Sequence, residues 1–241
     1  MSTDTPTVLV FDFGAQYAQL IARRIREANV YSEIVSHELT AKQIQEIRPA
    51  GIILSGGPKS VRVEGAPIID PNIYDLGIPI LGICYGAQLI AKQLGRTVSQ
   101  FDAGEYGRTN MVVVGGQLLE GQPEEQSVWM SHFDCVTTVP DDFTVSASTE
   151  HAPVAAFESQ GIYGVQYHPE VSHTPHGQRT LERWLDLSGI NRSWNMANVI
   201  EEQVANIKDQ VGSGRAICLL YTSDAADEGL GVDLGGRRII K

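Results

Sequence analysis

A cysteine between two glycines is the first feature of this sequence that could do chemistry. Cys84 has glycine two residues away on each side, Gly82 and Gly86, and lies between an apolar run and an amphipathic helical pattern. This is the form of a nucleophile elbow, in which a strand turns sharply into a helix and the side chain at the turn is exposed. The positive end of the following helix would favour the thiolate over the thiol. The alternative is a core cysteine, because free cysteine is among the most buried residue types.

A histidine and a glutamate further along the chain could serve as base and orienting group. Pro169 disfavours the helical conformation for His168 and favours an extended one. Side chains two residues apart in an extended chain lie on the same side, so Glu170 can reach the imidazole of His168. A thiolate nucleophile needs such a base, and the base needs an orienting partner. The alternative is a solvated histidine at a strand end near an unrelated glutamate.

A glycine pair could stabilise a developing negative charge. Residues 52–58, Ile-Ile-Leu-Ser-Gly-Gly-Pro, have the pattern of a buried strand that runs into a loop at Gly56 and Gly57. Glycines allow backbone N–H groups to approach an anion closely, as an oxyanion hole requires. An ordinary turn between a strand and a loop would explain the same residues.

Taken together, these segments resemble the class I, triad-type glutamine amidotransferases. The resemblance is carried by residues 82–88, Gly-Ile-Cys-Tyr-Gly-Ala-Gln, and by residues 168–170, His-Pro-Glu. Two longer stretches, 11–24 and 168–177, extend it, and it covers nearly the whole chain from residue 7 to residue 217. The family hydrolyses glutamine, so the resemblance implies that activity here.

The resemblance also implies a role for individual residues. The expected catalytic triad is Cys84, His168 and Glu170. The expected oxyanion hole is the backbone N–H of Gly57 and of Tyr85. The expected substrate-binding residues are Gly56, Gln88 and Ser131, and no metal ligand is expected.

One of these segments departs from the family pattern. Residues 131–134 read Ser-His-Phe-Asp, where the family has Ser-His-Gly-Asp. If the backbone at this position needs a positive φ, Phe133 is costly there. His132 is a rival base in principle, but no proline follows it as Pro169 follows His168.

The order of apolar runs predicts an α/β fold. Runs at 7–13, 31–36 and 51–55 predict strands, with helical periodicity between them and Thr40 as a candidate N-cap. This alternation predicts a three-layer, mostly parallel central sheet with helices on both faces, which the resemblance identifies as flavodoxin-like. Short strands after residue 107 predict a smaller antiparallel sheet, and residues 177–187 predict a closing helix.

The resemblance implies three segments. Residues 1–190 would form the amidotransferase domain, and residues 191–217 a linker helix and the start of a truncated ATP pyrophosphatase domain. The pyrophosphate-binding loop of that domain is absent from the sequence that follows. Residues 218–241 begin Cys-Leu-Leu-Tyr-Thr-Ser-Asp-Ala-Ala-Asp-Glu, which looks like a translated sequencing adaptor, so we expect a non-native tail.

The resemblance also implies partners. The domain would take L-glutamine and pass ammonia to an ATP pyrophosphatase (synthetase) domain. No cofactor is expected in the amidotransferase domain, whereas ATP and Mg²⁺ would bind the synthetase domain. A homodimer formed through the C-terminal part of such an enzyme is expected as well.

Composition argues against several other classes of protein. The 241 residues are 42% hydrophobic and carry a formal net charge of −11, which argues against sequence-independent nucleic-acid binding. The longest apolar runs fall short of the roughly 18 residues of a membrane span. Three scattered cysteines and a polar start indicate a reducing, cytoplasmic setting. His168, His173 and His176 lack the ligand spacing of a zinc site.

Three alternatives remain open at this stage. The chain could be the glutaminase component of another amidotransferase, such as anthranilate synthase or carbamoyl phosphate synthase, although the His-Thr-Pro-His-Gly run at 173–177 argues against it. It could be a cysteine hydrolase acting on γ-glutamyl peptides. It could also be a non-catalytic regulatory module on the same fold, although the presence of Cys84, His168 and Glu170 argues against that.

Overall fold

The computed structural model describes residues 6–195, 207–208, 211–212, 214, 231–232 and 238–239. The chain divides into two compact units, Met1–Trp194 and Asn195–Lys241. In the second unit the two-residue strands Gly231–Val232 and Arg238–Ile239 pair antiparallel. The linker helix expected within residues 191–217 and the tail expected over 218–241 lie mostly outside the described residues. Within the described ranges, no helix is both long and apolar enough to cross a membrane.

Strands and helices alternate through the first part of the first unit. They are β1 (Thr7–Asp12), α1 (Ala18–Glu27), β2 (Tyr31–Ser36), α2 (Ala41–Ile47), β3 (Gly51–Leu54), a 3-10 helix (Pro71–Leu76), β4 (Ile80–Ile83) and α3 (Tyr85–Gln93). Thr40 caps α2 as its sequence indicates. Its hydroxyl accepts a hydrogen bond from the N–H of Gln43 at 3.3 Å, and the Gln43 side chain accepts one from the N–H of Thr40 at 2.9 Å. This reciprocal pair satisfies two N–H groups at the helix start.

The second part of the unit is mainly antiparallel. Its elements are β5 (Val98–Val113), β6 (Glu125–Val136), β7 (Thr144–Ser148), β8 (Ala156–Ser159), β9 (Ile162–Val165) and α4 (Gly177–Leu187). The helix has the bounds expected from the sequence. The sequence predicted short strands only after residue 107, but β5 begins at Val98, because its polar early residues pair with β6 across an irregularity between Gln100 and Glu105. Gly104 lies at that irregularity with φ 76°.

The nine strands that the structure describes between residues 6 and 194 form one sheet, in the order β2-β1-β3-β4-β9-β8-β7-β5-β6. The first five run parallel, and the other four join in antiparallel pairs. The α/β class with helices on both faces is confirmed. The antiparallel strands do not form a separate smaller sheet, because β8 pairs with β9 along its whole length and so continues the parallel sheet.

Alternate side chains of the central strands supply two hydrophobic layers. Val8 and Val10 of β1 belong to the cluster that includes the buried faces of α1 and α4. Leu9 and Phe11 belong to the cluster on the other face, with α2 and α3. All four side chains are fully buried, and each such burial contributes roughly 1.5–3 kcal/mol. The two layers hold the sheet rigid between the helices.

Adjacent pairing of β3, β4 and β9 brings three strand ends to one edge of the sheet. Leu54 is in register with Gly82, and Gly82 is in register with Gly164. The N–H of Cys84 donates to the carbonyl oxygen of Val165 at 2.8 Å, which extends the β4–β9 pairing. The residues that follow these strands therefore lie side by side, where α/β folds form their sites.

A close contact joins the start of α4 to the segment after β9, and it predicts the effect of one substitution. A Cβ on Gly177 would lie 2.0 Å from the carbonyl oxygen of Pro169 and 2.8 Å from its Cα. Gly177→Ala must therefore displace backbone, and we expect it to lower the free energy of unfolding by about 1–3 kcal/mol. Urea denaturation measures this. The exposed neighbour Arg179 provides the control, since Arg179→Ala should change it by less than about 0.5 kcal/mol. Equal stability of Gly177→Ala and the unmodified chain would contradict the contact.

Candidate active site

Cys84 lies at a strained turn between β4 and α3. Its backbone has φ 52° and ψ −102°, a region that residues with a Cβ rarely adopt. A Cβ on Gly82 would lie 2.6 Å from the backbone nitrogen of Ala87, and one on Gly86 would lie 2.2 Å from the carbonyl oxygen of Leu54. Glycine is therefore required on both sides of the turn, and the geometry is that of a nucleophile elbow.

His168 is fixed by its side chain and by its backbone. Its Nδ1 lies 2.7 Å from Oε1 of Glu170, and both residues are buried. The N–H of His168 donates to the carbonyl oxygen of Trp129 on β6 at 2.9 Å. The Thr174 hydroxyl donates to the carbonyl oxygen of His168 at 2.7 Å. The ring therefore has little freedom to turn, and the contact expected from the two-residue spacing is present.

Gly56 lies beside both Cys84 and His168. A Cβ built on Gly56 would lie 3.2 Å from Cε1 of His168 and 3.9 Å from the Cβ of Cys84. Burial disfavours the charged imidazole and is the largest single influence on the pKa of His168. The Cys84 sulfur and then the Glu170 carboxylate outweigh it, so that this pKa lies well above 6.5. The imidazole of His168, which lies beside the sulfur, therefore stays protonated to a higher pH than a free imidazole.

Two backbone N–H groups next to Cys84 are available to bind an anion. They belong to Gly57, in the loop after β3, and to Tyr85, the first residue of α3. In the part of the chain that the structure describes, neither N–H donates to another protein group. A Cβ on Gly57 would lie 3.0 Å from the Tyr85 ring, so the two residues are in contact. These two N–H groups are therefore the candidates for the expected oxyanion hole.

A cavity of about 270 Å³ opens beside Cys84. Of the residues named from the sequence, its lining includes Gly57, Cys84, Tyr85, Gln88 and Ser131. The Cys84 thiol points to the carbonyl oxygen of Ser131 at 3.7 Å. The buried triad candidates His168 and Glu170 do not contribute to this lining.

Phe133, which replaces the usual glycine, causes no backbone strain. Among the described residues other than glycine, positive φ occurs at Asn29, Arg48 and Cys84. Phe133 lies within β6 with about half of its surface exposed. The positive φ is found instead on the partner strand at Gly104, where a Cβ would lie 3.1 Å from the Cα of Phe133.

Two polar residues near the cavity have protein partners. The side-chain nitrogen of Gln88 donates to the carbonyl oxygen of Asp134 at 2.5 Å and to the Gln166 side chain at 3.3 Å. Its amide N–H₂ is therefore already used within the protein. The rival base His132 pairs through Nε2 with Oε2 of Glu105 at 3.0 Å.

Sequence reasoning did not identify Gln166 and Tyr17 as residues of this region. The Gln166 side-chain nitrogen lies 3.7 Å from the Cys84 sulfur. The rings of Tyr17 and His168 are in contact, with centroids 5.1 Å apart. Gln166 could have been found, because it precedes His168 by two residues in an extended segment and so shares its side. The contact of Tyr17 depends on tertiary packing and left no sequence signal.

Comparison with known proteins shows which family the chain belongs to. The family described as "Glutamine amidotransferase class-I" matches residues 9–187. The chain is 54% identical over 214 residues to the GMP synthase [glutamine-hydrolyzing] of Mycobacterium leprae, and 55% identical over 229 residues to that of Streptomyces coelicolor. These matches cover 88% and 90% of this chain. A solved structure from Thermoplasma acidophilum, that of a candidate GMP synthase subunit, is similar, with a TM-score of 0.70 and 31% identity over 83% of this chain and 98% of that one.

The chain spans less than half the length of the two curated relatives. It covers 40% of the Mycobacterium leprae protein and 44% of the Streptomyces coelicolor protein. A glutamine amidotransferase of Thermotoga maritima, 21% identical with a TM-score of 0.57 over 84% of this chain and 85% of that one, shares the fold. The resemblance seen at residues 82–88 and 168–170 is confirmed, and the chain belongs to the class I glutamine amidotransferase family.

Proposed function

We propose that this chain hydrolyses the side-chain amide of L-glutamine to glutamate and ammonia, with Cys84 as the nucleophile. The observation that carries the proposal is the arrangement of Cys84, at a strained turn, beside the buried His168–Glu170 pair. A nucleophile, a base and a group that orients the base are the parts that covalent amide hydrolysis needs.

In the first step, the Cys84 thiolate attacks the carbonyl carbon of the glutamine side chain. The N–H groups of Gly57 and Tyr85 stabilise the negative oxygen of the tetrahedral intermediate. His168 gives its proton to the leaving nitrogen, the C–N bond breaks, and ammonia departs. Glu170 keeps the imidazole in place and stabilises its charged form. The product is a γ-glutamyl thioester on Cys84.

In the second step, water replaces the sulfur. His168, now neutral, takes a proton from the water as it attacks the thioester carbonyl carbon. The same two N–H groups stabilise the second oxyanion. Collapse of this intermediate breaks the C–S bond, releases glutamate, and returns Cys84 and His168 to their starting state.

The rest of the glutamine molecule would occupy the cavity beside Cys84. We propose that Gly56, Gln88 and Ser131 contribute to this binding, Gln88 through its remaining carbonyl oxygen and Ser131 from the strand that forms the opposite wall. In cytoplasmic enzymes of this kind, ammonia would pass to an ATP pyrophosphatase domain. We propose that this domain would use ATP and Mg²⁺ to aminate XMP to GMP; the two curated relatives are each named GMP synthase [glutamine-hydrolyzing].

Removing the sulfur tests the covalent mechanism. We expect Cys84→Ala to reduce glutamine hydrolysis by at least about a thousandfold, because no other group can form the thioester. Release of glutamate and ammonia measures this, and circular dichroism checks the fold. Cys135 provides the matched control: it is also a buried cysteine, and burial raises the pKa of its thiol to about 11. Cys135→Ser should keep most of the activity. Full activity in Cys84→Ala would rule out the mechanism.

The charge partners of His168 predict how its titration responds to substitution. Because Cys84 and Glu170 both hold the pKa of His168 above 6.5, Cys84→Ala and Glu170→Gln should each lower it. NMR titration of the labelled imidazole measures the shift. Glu120→Gln removes an exposed carboxylate that pairs with Arg183, so it should leave the titration unchanged. An unaltered His168 pKa in both site variants would show that these groups are not its charge partners.

Coupling to a second domain can be tested by reconstitution. We expect glutamine hydrolysis by this chain to rise when a separately produced ATP pyrophosphatase domain of GMP synthase is added with XMP, ATP and Mg²⁺. We also expect GMP to form with glutamine as the nitrogen source. The control is the same mixture with the Cys84→Ala variant, in which added ammonia should still support GMP formation but glutamine should not. If glutamine hydrolysis proceeds and GMP never forms, the chain serves another acceptor.

A further inference from the structure

Asp134 is a buried carboxylate that neither hydrolysis step uses. It lies on β6 with 5% of its surface exposed, and it borders the cavity beside Cys84. A buried carboxylate is costly unless it is paired and hydrogen-bonded. The groups that pair with the Asp134 carboxylate therefore indicate why a charged residue lies at this buried position.

Both carboxylate oxygens of Asp134 bind the loop that follows β3. The Ser60 hydroxyl donates to Oδ2, and Nη1 of Arg62 donates to Oδ1 at 3.0 Å. The N–H of Arg62 in turn donates to the Ser60 hydroxyl at 3.1 Å. Gly57, whose N–H is one of the two proposed oxyanion donors, lies in the same loop. The Asp134 carboxylate thus connects β6 to the loop that carries one of the two proposed donors, the N–H of Gly57.

The backbone of Asp134 is connected to the other side of the cavity. Its carbonyl oxygen accepts the hydrogen bond from Gln88 on α3, the helix that begins with the second donor, Tyr85. Gln88 also bonds to Gln166, which contacts the Cys84 sulfur. One residue of β6 therefore contacts the loop and the helix that carry the two donors.

We propose that Asp134 is a positioning residue for the oxyanion hole. By holding Ser60 and Arg62, it fixes the Gly57 N–H relative to Tyr85 and Cys84. The inference rests on the proposed function, since it concerns the transition state of that reaction. An oxyanion donor must be aimed at the place where charge develops, and small misplacement is costly.

The loop also has a second anchor. The Lys92 side chain, on α3, donates to the carbonyl oxygen of Val61. Loss of the Asp134 carboxylate should therefore loosen the loop rather than release it, and the expected effect on catalysis is partial.

The first test is Asp134→Asn, which keeps the shape and removes the charge. We expect kcat for glutamine hydrolysis to fall by about tenfold or more, with a smaller change in KM, because the lost alignment acts in the transition state. A general loss of structure would instead lower the melting temperature and the active fraction together. Asp141→Asn removes an exposed carboxylate and should leave kcat unchanged.

Two labelling reagents separate the oxyanion hole from the nucleophile. A glutamine analogue with an electrophilic carbonyl needs the donors to react with Cys84, whereas iodoacetamide alkylates the sulfur without them. Mass spectrometry of the Cys84 peptide gives both rates. In Asp134→Asn we expect analogue labelling to slow by about the same factor as kcat, and iodoacetamide labelling to stay within about twofold.

The loop partner provides an independent variant. Arg62→Ala should lower kcat in the same way, and Arg62→Lys should restore part of it, because lysine can still pair with the carboxylate. Combining Arg62→Ala with Asp134→Asn should cost little more than the larger single effect, since both remove one contact.

Several outcomes would overturn the inference. An unchanged kcat in Asp134→Asn would do so. Equal slowing of both reagents would mean that the residue acts on the sulfur itself and not on the oxyanion hole. Fully additive effects of the Arg62 and Asp134 substitutions would mean that they act separately. If the unmodified chain fails to hydrolyse glutamine at all, the proposed function fails, and that result is distinct from these.

Discussion

Parallel pairing of β3, β4 and β9 is the constraint on which the candidate active site depends. The Gly56–Gly57 loop, Cys84 and His168 each follow one of these strands, and the register of the strands sets which residues lie next to each other. Leu54, Gly82 and Gly164 are in line across the sheet. A shift of one residue in any of the three would turn its side chains to the opposite face. The two hydrophobic layers make such a shift costly, so packing far from the site fixes its geometry.

The antiparallel half of the sheet completes the site. β6 provides the carbonyl oxygen of Trp129 that holds the His168 backbone, the carbonyl oxygen of Ser131 that faces the sulfur, and the carboxylate of Asp134. β6 and β9 are separated by three strands in the sheet order. The long, irregular β5–β6 hairpin must therefore reach the carboxyl edge of the parallel strands. The positive φ of Gly104 lies at this irregularity and next to Phe133.

The sequence was sufficient for the parts of the site that depend on local chemistry. Glycine at 82 and 86 predicted the turn at Cys84, and the proline between His168 and Glu170 predicted that their side chains would meet. It was sufficient for the α/β class as well, because strand and helix periodicities alternate clearly. It was insufficient where non-local pairing decides the structure. The start of β5 has no alternating pattern, and its strand conformation depends on pairing with β6.

Local sequence also does not show which partners the polar residues near the cavity bind. Gln88 was expected to hold substrate, but nothing in its local sequence shows that its side-chain nitrogen would bind Asp134 and Gln166. Asp134 itself belongs to a four-residue motif, and its links to Ser60 and Arg62 span 74 and 72 positions of sequence. The contact between Tyr17 and His168 also joins residues that are far apart in the sequence. Local patterns identify which residues can react, whereas long-range contacts decide how they are held.

The left-handed backbone at Cys84 has a thermodynamic consequence. A residue with a Cβ in this conformation costs the folded state on the order of 1–3 kcal/mol, and typical domains are stable by only about 5–15 kcal/mol. The backbone conformation that presents the Cys84 sulfur therefore lowers the free energy of unfolding by a sizeable fraction of its total. A glycine there would relieve the strain and remove the sulfur that the proposed hydrolysis needs. Selection for heat resistance alone would therefore tend to remove Cys84, whereas selection for the proposed hydrolysis would keep it.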